Sequence, residues 1–361
     1  MKTLSLCMIV KDEEKNLNEC LKNAKEYCDE IIIVDTGSSD KTKEIALHYT
    51  DKVFDFKWVQ DFSKARNFSF DKASKEYIIW LDGDDFLTEE SVDQINKWKM
   101  SDDDSDVLMC RYVNSYDENL NPIFEYYRER IVKNAQELRW HDAVHEVIIP
   151  TGKVRRNEKI AIYHAKKERA SSDRNLNIYL KLLGEGEKFT PRQQFYYARE
   201  LYFNNKITEA IHEFSKFLDQ DKGWVENKIE ACLNLARCYE INNQYSNALS
   251  SLYGSFIYDD PRGEILCEIG DVFSLKKEFS RAIFWYKLAL QSKPNLQGGG
   301  FVNQDCYDFL PALKLCVCYD KIGDILSSYK YHLMTEKLRP NDKSVLYNKK
   351  YFENIFHKNI D

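Results

Sequence analysis

Tyr77-Ile78-Ile79-Trp80-Leu81-Asp82-Gly83-Asp84-Asp85 carries five consecutive apolar residues that stop abruptly at three carboxylates around one glycine. A short run rich in β-branched and aromatic residues predicts a buried strand. Crowding carboxylates at its end is unfavourable unless a cation joins them. A hard divalent ion bridging a diphosphate resolves the repulsion, and oxygen ligands suit Mg2+ or Mn2+. An acidic turn that caps a helix near Thr88-Glu89-Glu90 is the plainer reading of the same residues.

Outward from this run, Leu4–Val10, 31–34 and 53–56 are further strand-like segments. The amphipathic stretches 13–28, 41–48 and 62–72 alternate with them. That order predicts a parallel sheet covered by helices. Polar residues crowd the strand ends at Lys11-Asp12, Asp35-Thr36-Gly37 and Asp82-Gly83-Asp84-Asp85, and in open α/β sheets ligands bind at the carboxyl ends of the strands. Asp35 ends a strand, where its carboxylate can accept hydrogen bonds from a base or ribose. Ser39 or Asp40 can cap the next helix. Arg66 can pair with phosphate, buttress an acidic loop, or form a surface salt bridge.

Together, Cys7-Met8-Ile9-Val10-Lys11-Asp12-Glu13-Glu14, Val34-Asp35-Thr36-Gly37-Ser38-Ser39-Asp40, Ala65-Arg66-Asn67 and Trp80-Leu81-Asp82-Gly83-Asp84-Asp85 resemble a family 2 glycosyltransferase with a GT-A fold, in order and in spacing. Arg139-Trp140 with Val144-His145-Glu146 is similar to a subgroup of that family. The chain departs from the pattern at Asp12, where the family often has Asn, and at Ala143, where the subgroup often has Gly. The resemblance implies inverting transfer from a nucleotide-diphosphate sugar, with UDP the favoured nucleotide. It maps nucleotide-sugar binding onto Val10, Asp12, Glu13, Asp35, Arg66, Asp82 and Gly83. It maps the metal onto Asp84 and His164, with Asp85 a neighbour, and imidazole suits Mn2+ better than Mg2+. Glu146 stands where the family places its base, Asp142 is the alternative, and His145 orients the base or the acceptor.

Beyond about Thr190 a helical repeat replaces the strand pattern. Ala198 and Ala210, Ala236 and Ala248, and Gly270 and Ala282 are each 12 apart. Large residues follow at matching offsets: Leu201 and Phe214, Tyr239 and Leu252, Phe273 and Tyr286. Ala236 to Gly270 is 34 residues, the tetratricopeptide period. Pro294 and Pro340 close the third unit and a weaker fourth, which holds Cys316, Tyr319 and Ser328. A Gly298-Gly299-Gly300 loop lengthens the step between them. The expected organisation is a GT-A α/β domain with a mostly parallel sheet at 1–170, a linker or flap with a first helix at 171–189, and tetratricopeptide-like helical repeats at 190–361. The basic run Lys166-Lys167-Glu168-Arg169 with Arg174 reads as a flap over the diphosphate or as a solvated linker.

Composition sets outer bounds. The 361 residues hold 52 Lys and Arg against 59 Asp and Glu, a net charge of −7, which disfavours wholesale nucleic-acid binding. Thirteen glycines and seven prolines exclude collagen-like or Pro/Gly-rich disorder. No apolar run reaches the length of a membrane-spanning helix. Ten scattered cysteines read as buried thiols of a cytoplasmic protein. The partners expected are a nucleotide-sugar donor and, from the likeness to family 2 enzymes with a helical C-terminal half, a peptide or protein acceptor. The repeats also offer a surface for a homodimer. A cell-surface polysaccharide or lipid-linked saccharide acceptor, and a non-catalytic sugar-nucleotide scaffold, are the competing readings.

Overall fold

The computed structural model describes residues 1–165, 173–295, 300 and 302–357. It divides into two units, Met1–Lys188 and Phe189–Asp361. The Lys166 basic run lies outside the described residues.

In the first unit the chain runs β1 (Leu4–Val10), α1 (Leu17–Leu21), α2 (Ala24–Tyr27), β2 (Glu30–Asp35), α3 (Thr42–Tyr49), β3 (Val53–Asp55), α4 (Phe62–Phe70), β4 (Tyr77–Trp80), β5 (Asp85–Leu87), α5 (Glu89–Met100), β6 (Val107–Tyr116), β7 (Pro122–Lys133), β8 (Trp140–His141), β9 (Val147–Ile148), β10 (Val154–His164) and α6 (Arg174–Gly184). The main sheet has the order β3-β2-β1-β4-β7-β6-β10-β5. β3, β2, β1 and β4 are mutually parallel, as their alternation with helices predicts. β7 then runs antiparallel to both β4 and β6, while β10 returns parallel to β6. The chain goes from β1 to β2 and β3 on one side and comes back to β4 on the other. That reversal opens a crevice at the carboxyl ends of β1 and β4, where Val10 and the acidic run lie.

Every residue of β2 and β4 is buried. One face of the sheet (Leu4, Leu6, Met8, Ile33, Ile79) packs on Leu17, Leu21, Val92 and Ile95. The other (Cys7, Ile32, Ile78, Trp80) packs on Phe70 and Trp140. A strand covered on both faces is apolar throughout, which is why β4 shows no alternation in sequence.

The single helix expected at 13–28 is instead two short ones. Its first turn is diverted: Glu13 N–H donates to Thr42 Oγ1 (2.7 Å) and Glu14 N–H to Asp40 Oδ2 (3.1 Å). Those residues tie β1 to the β2–α3 loop rather than starting a helix.

The second unit consists of helix pairs α7 (Pro191–Phe203) and α8 (Ile207–Leu218), α9 (Val225–Ile241) and α10 (Tyr245–Gly254), α11 (Gly263–Leu275) and α12 (Phe279–Gln291), α13 (Phe309–Lys321) and α14 (Ile325–Leu338), followed by α15 (Lys343–His357). Thr190 opens α7 with a reciprocal capping box to Gln193 and Pro191 at the first turn. The small residues Ala198, Ala210, Ala236, Ala248 and Ala282 are fully buried, as the tetratricopeptide pattern requires.

The third pair explains its own departure from alanine. A Cβ on Gly270 would lie 2.4 Å from Cε1 of Tyr286, whose hydroxyl donates to Asp271 at 2.6 Å. The largest side chain of the series thus faces the smallest residue. We expect Gly270→Ala to overpack this contact by about 1–3 kcal/mol. The readout is a lower midpoint of thermal unfolding; an unchanged midpoint would mean that Tyr286 can move aside freely.

Candidate active site

Each parallel strand delivers one piece of the crevice. At the end of β2, Asp35 accepts the N–H groups of Gly37 (2.7 Å) and Ser38 (2.8 Å) on Oδ1. Its Oδ2 is buried and has no hydrogen-bond partner among the described residues. A buried carboxylate oxygen without a donor is costly, so this atom is suited to a ligand N–H or O–H.

At the end of β1, Val10 O accepts both the N–H (3.0 Å) and the hydroxyl (3.1 Å) of Thr36. Asp12 has a left-handed φ of 54° and accepts the Ser39 N–H at 2.7 Å. Asn and Asp both tolerate that conformation, so the departure from the family's Asn leaves the turn intact. Glu13 lies against Gly83: a Cβ there would sit 2.8 Å from Glu13 Cγ. The glycine inside the acidic run is therefore needed for close approach of the β1 end.

At the end of β4, the acids meet cations supplied by the protein itself. Arg66, on α4 and 8% exposed, donates from Nη2 to Asp82 Oδ1 (2.7 Å) and from Nε to Glu146 Oε1 (2.6 Å). Its guanidinium lies 5.0 Å from the Trp80 ring centroid and 4.8 Å from that of Trp140. This excludes a surface salt bridge and makes Arg66 a buried buttress of the acidic loop. Asp85, 1% exposed, accepts Arg130 Nη1 at 2.8 Å, the Tyr112 hydroxyl at 3.1 Å and the Asp82 N–H at 3.0 Å. Arg130 in turn lies 3.7 Å from the Trp80 centroid and 4.1 Å from that of Tyr112. The cation that the acidic run requires is thus supplied in part by arginine. Arg66 and Arg130 neutralise Asp82 and Asp85 within the chain.

Asp84 and His164 remain at the mouth of this arrangement. His164 Nδ1 is 3.6 Å from an oxygen of Asp84 and 3.6 Å from one of Asp85. One ligand atom from each of Asp84, Asp85 and His164 lies within 4.8 Å of the others. Two carboxylates and an imidazole form a donor set that fits Mn2+ or Mg2+. Asp85 is committed to Arg130, so Asp84 and His164 are the ones that could hold such an ion.

The acid proposed as base comes from a separate hairpin in which β8 pairs with β9. Asp142 and His145 adopt left-handed φ values of 69° and 53°. His145 stacks on Tyr179 of α6, with centroids 6.4 Å apart. The structure therefore joins Arg66, Asp82 and Glu146 directly, Glu13 to Gly83, and Asp84 to His164. Sequence reasoning missed Trp80, Trp140, Arg128 and Arg130. Arg128 lies 5.1 Å from the Trp80 centroid and pairs with Glu129 at 2.9 Å. The available signal was Arg128-Glu129-Arg130, three consecutive charges between Tyr126-Tyr127 and Ile131-Val132 within one strand.

An α/β domain of the GT-A type with a mostly parallel sheet, followed by helical repeats, is the class that this fold defines. Residues 5–161 match the Glycosyl transferase family 2 model. The chain is 26% identical over 266 residues to the SPbeta prophage-derived glycosyltransferase SunS of Bacillus subtilis, covering 67% of this chain and 60% of that protein. It is 43% identical over 91 residues to a TPR repeat-containing protein of Synechococcus elongatus, covering 25% of this chain and 23% of that protein. The matches thus span less than two thirds of either relative. Among solved structures, TarS 1–349 of S. aureus aligns with 94% of this chain and 92% of its own at 13% identity, with a TM-score of 0.38, too low to carry weight.

Burial pushes the Asp82 carboxyl up, but Arg66, and behind it Arg130 and Arg128, outweigh it and hold the pKa at about 2 against an ordinary 3.8. A depressed carboxyl contributes stability that is present above pH 3.8 and is lost as pH falls through about 2. Arg66→Met removes the strongest of these charges, so acid unfolding followed by circular dichroism should begin at a higher pH than in the wild type. An acid midpoint that does not move would show that Arg66 is not what holds Asp82 ionised.

Proposed function

We propose that this protein is an inverting, metal-dependent hexosyltransferase that moves a sugar from a UDP-sugar to a peptide or protein side chain, a Ser or Thr hydroxyl or a Cys thiol. The observation that carries this reading is the Arg66 bridge, which sets a base-type carboxylate, Glu146, beside the donor-binding carboxylate, Asp82. Asp35 Oδ2 supplies the acceptor for a nucleobase or ribose donor group. Val10, Asp12, Glu13 and Gly83 shape the wall against which the nucleotide lies.

In this mechanism Glu146 takes the proton from the acceptor O–H or S–H as the new bond to the anomeric carbon forms. The bond from that carbon to the phosphate oxygen breaks, and UDP leaves with the electron pair. Inversion follows from attack on the face opposite the diphosphate. Asp84 and His164 would hold a divalent ion, which when bound would supply positive charge to offset that on the leaving diphosphate. Asp142 is the alternative base, and His145, stacked on Tyr179, orients the base or the acceptor.

The polypeptide acceptor is supported by the second unit. Tetratricopeptide-type pairs generate extended binding surfaces suited to peptides. The same surfaces could carry a homodimer. Ten free cysteines, nine of them buried, support a reducing, cytoplasmic setting. Among the described residues no helix is long and apolar enough to cross a membrane.

We expect Glu146→Gln to lower UDP release from the donor by at least about 100-fold, with affinity for UDP and Mn2+ near wild type by calorimetry. Full turnover in this variant would exclude Glu146 as the base. Asp84→Ala and His164→Ala should each raise the Mn2+ concentration needed for half-maximal UDP binding by about tenfold or more. Unchanged metal titrations would remove these residues from the metal site. Binding of UDP-sugars with no turnover on peptide, saccharide or water would favour a non-catalytic scaffold, and transfer to lipid-linked saccharide alone would exclude the peptide reading.

A further inference from the structure

Helix α4 grips the base-bearing hairpin at three levels. At its start, the Phe62 N–H donates to Ala143 O at 2.8 Å, inside the hairpin loop. In its middle, Arg66 reaches Glu146 at 2.6 Å. One residue on, Asn67 Nδ2 donates to Trp140 O at 3.0 Å while Trp140 N–H donates to Asn67 Oδ1 at 2.9 Å. A single side-chain amide thus satisfies both backbone groups of Trp140.

That backbone is where the hairpin begins. Trp140 pairs with Ile148, and His141 with Val147. Between these pairs the loop holds Asp142 and His145 in left-handed conformations. Asp and His enter this conformation more readily than most non-glycine residues, and neighbouring contacts fix the chain in it. The Trp140 side chain is itself wedged against Trp80 and Phe70, at centroid distances of 4.7 and 6.1 Å. Trp80 is the last residue of the strand that leads to Asp82.

Asparagine in a helix interior is unfavourable by intrinsic propensity. Its amide is the shortest side-chain group that presents an N–H donor and a C=O acceptor on separate atoms side by side. Asp would keep the acceptor and lose the donor, and Ala would lose both. The residue type therefore matches the two-way contact to Trp140.

We infer that Asn67 is a positioning residue, locking the backbone at the root of this hairpin so that Glu146 is held where it meets the acceptor's O–H or S–H. The inference rests on the reading of Glu146 as base, and Asn67 acts through the hairpin. Arg66 fixes the tip of the Glu146 side chain; Asn67 fixes the chain that carries it.

The test uses the full chain and two variants, Asn67→Asp and Asn67→Ala, with amide hydrogen exchange as the first readout. We expect exchange in residues 141–146 to rise by about tenfold or more, with residues 77–85 and the melting temperature unchanged. The second readout uses UDP with Mn2+ for binding and UDP-glucose for release of UDP. Release should fall by about 10- to 100-fold, with UDP affinity kept. Unchanged exchange at 141–146 overturns the inference. So does loosening of the whole domain with a lowered melting temperature, since that marks a merely structural asparagine. Failure of the base reading shows separately, as wild-type UDP release by Glu146→Gln, while the exchange comparison does not involve that variant.

Discussion

The Arg66 guanidinium is the joint on which the site depends. It is buried against two indole rings and shares its charge between two carboxylates from different parts of the chain. Taking such a cation out of water is unfavourable by several kcal/mol unless its partners are well placed. Here both are within 2.7 Å. The same contact that compensates the buried arginine fixes the relative places of Asp82 and Glu146. Removing it would strand two acids, at a cost below the about 3–5 kcal/mol of a fully buried pair, because the Asp82 side chain is 33% exposed.

A second ion pair, Arg130 with Asp85, works beneath the first. The two arginines share Trp80 as a platform, so the end of β4 is a stack of alternating charge and aromatic ring. This arrangement separates the carboxylates by task. Asp85 is fully enclosed and structural. Asp82 is held ionised at the crevice. Asp84 lies beside His164, 3.6 Å from its Nδ1. Asp82 and Asp85 thus sit in different environments, set by which arginine each acid meets.

The fold supplies this stack because β7 is inserted antiparallel beside β4. Arg128 and Arg130 enter from that strand, whereas Arg66 enters from α4 and Glu146 from the β8–β9 hairpin. Three segments remote in sequence therefore converge on one tryptophan. A parallel strand at that position would need a crossover connection to reach it; the antiparallel turn-back from β6 does it with a short hairpin.

Much was written in the sequence. The apolar runs ending in Asp35 and Asp82, their alternation with helices, the family motifs and the small-residue repeat of the second half follow from local chemistry that each segment carries alone. Asp35, Asp82, Asp84 and Glu146 were legible because strand ends and motif spacing mark them. The rest was decided by tertiary contact. Whether Arg66 faced solvent, phosphate or acid depends on what α4 packs against. The roles of Trp80, Trp140 and Arg130 exist only where β4, β7 and β8 meet. Neutralisation of a charge is a property of distance in space, and no one-dimensional pattern records which cation will stand 2.7 or 2.8 Å away.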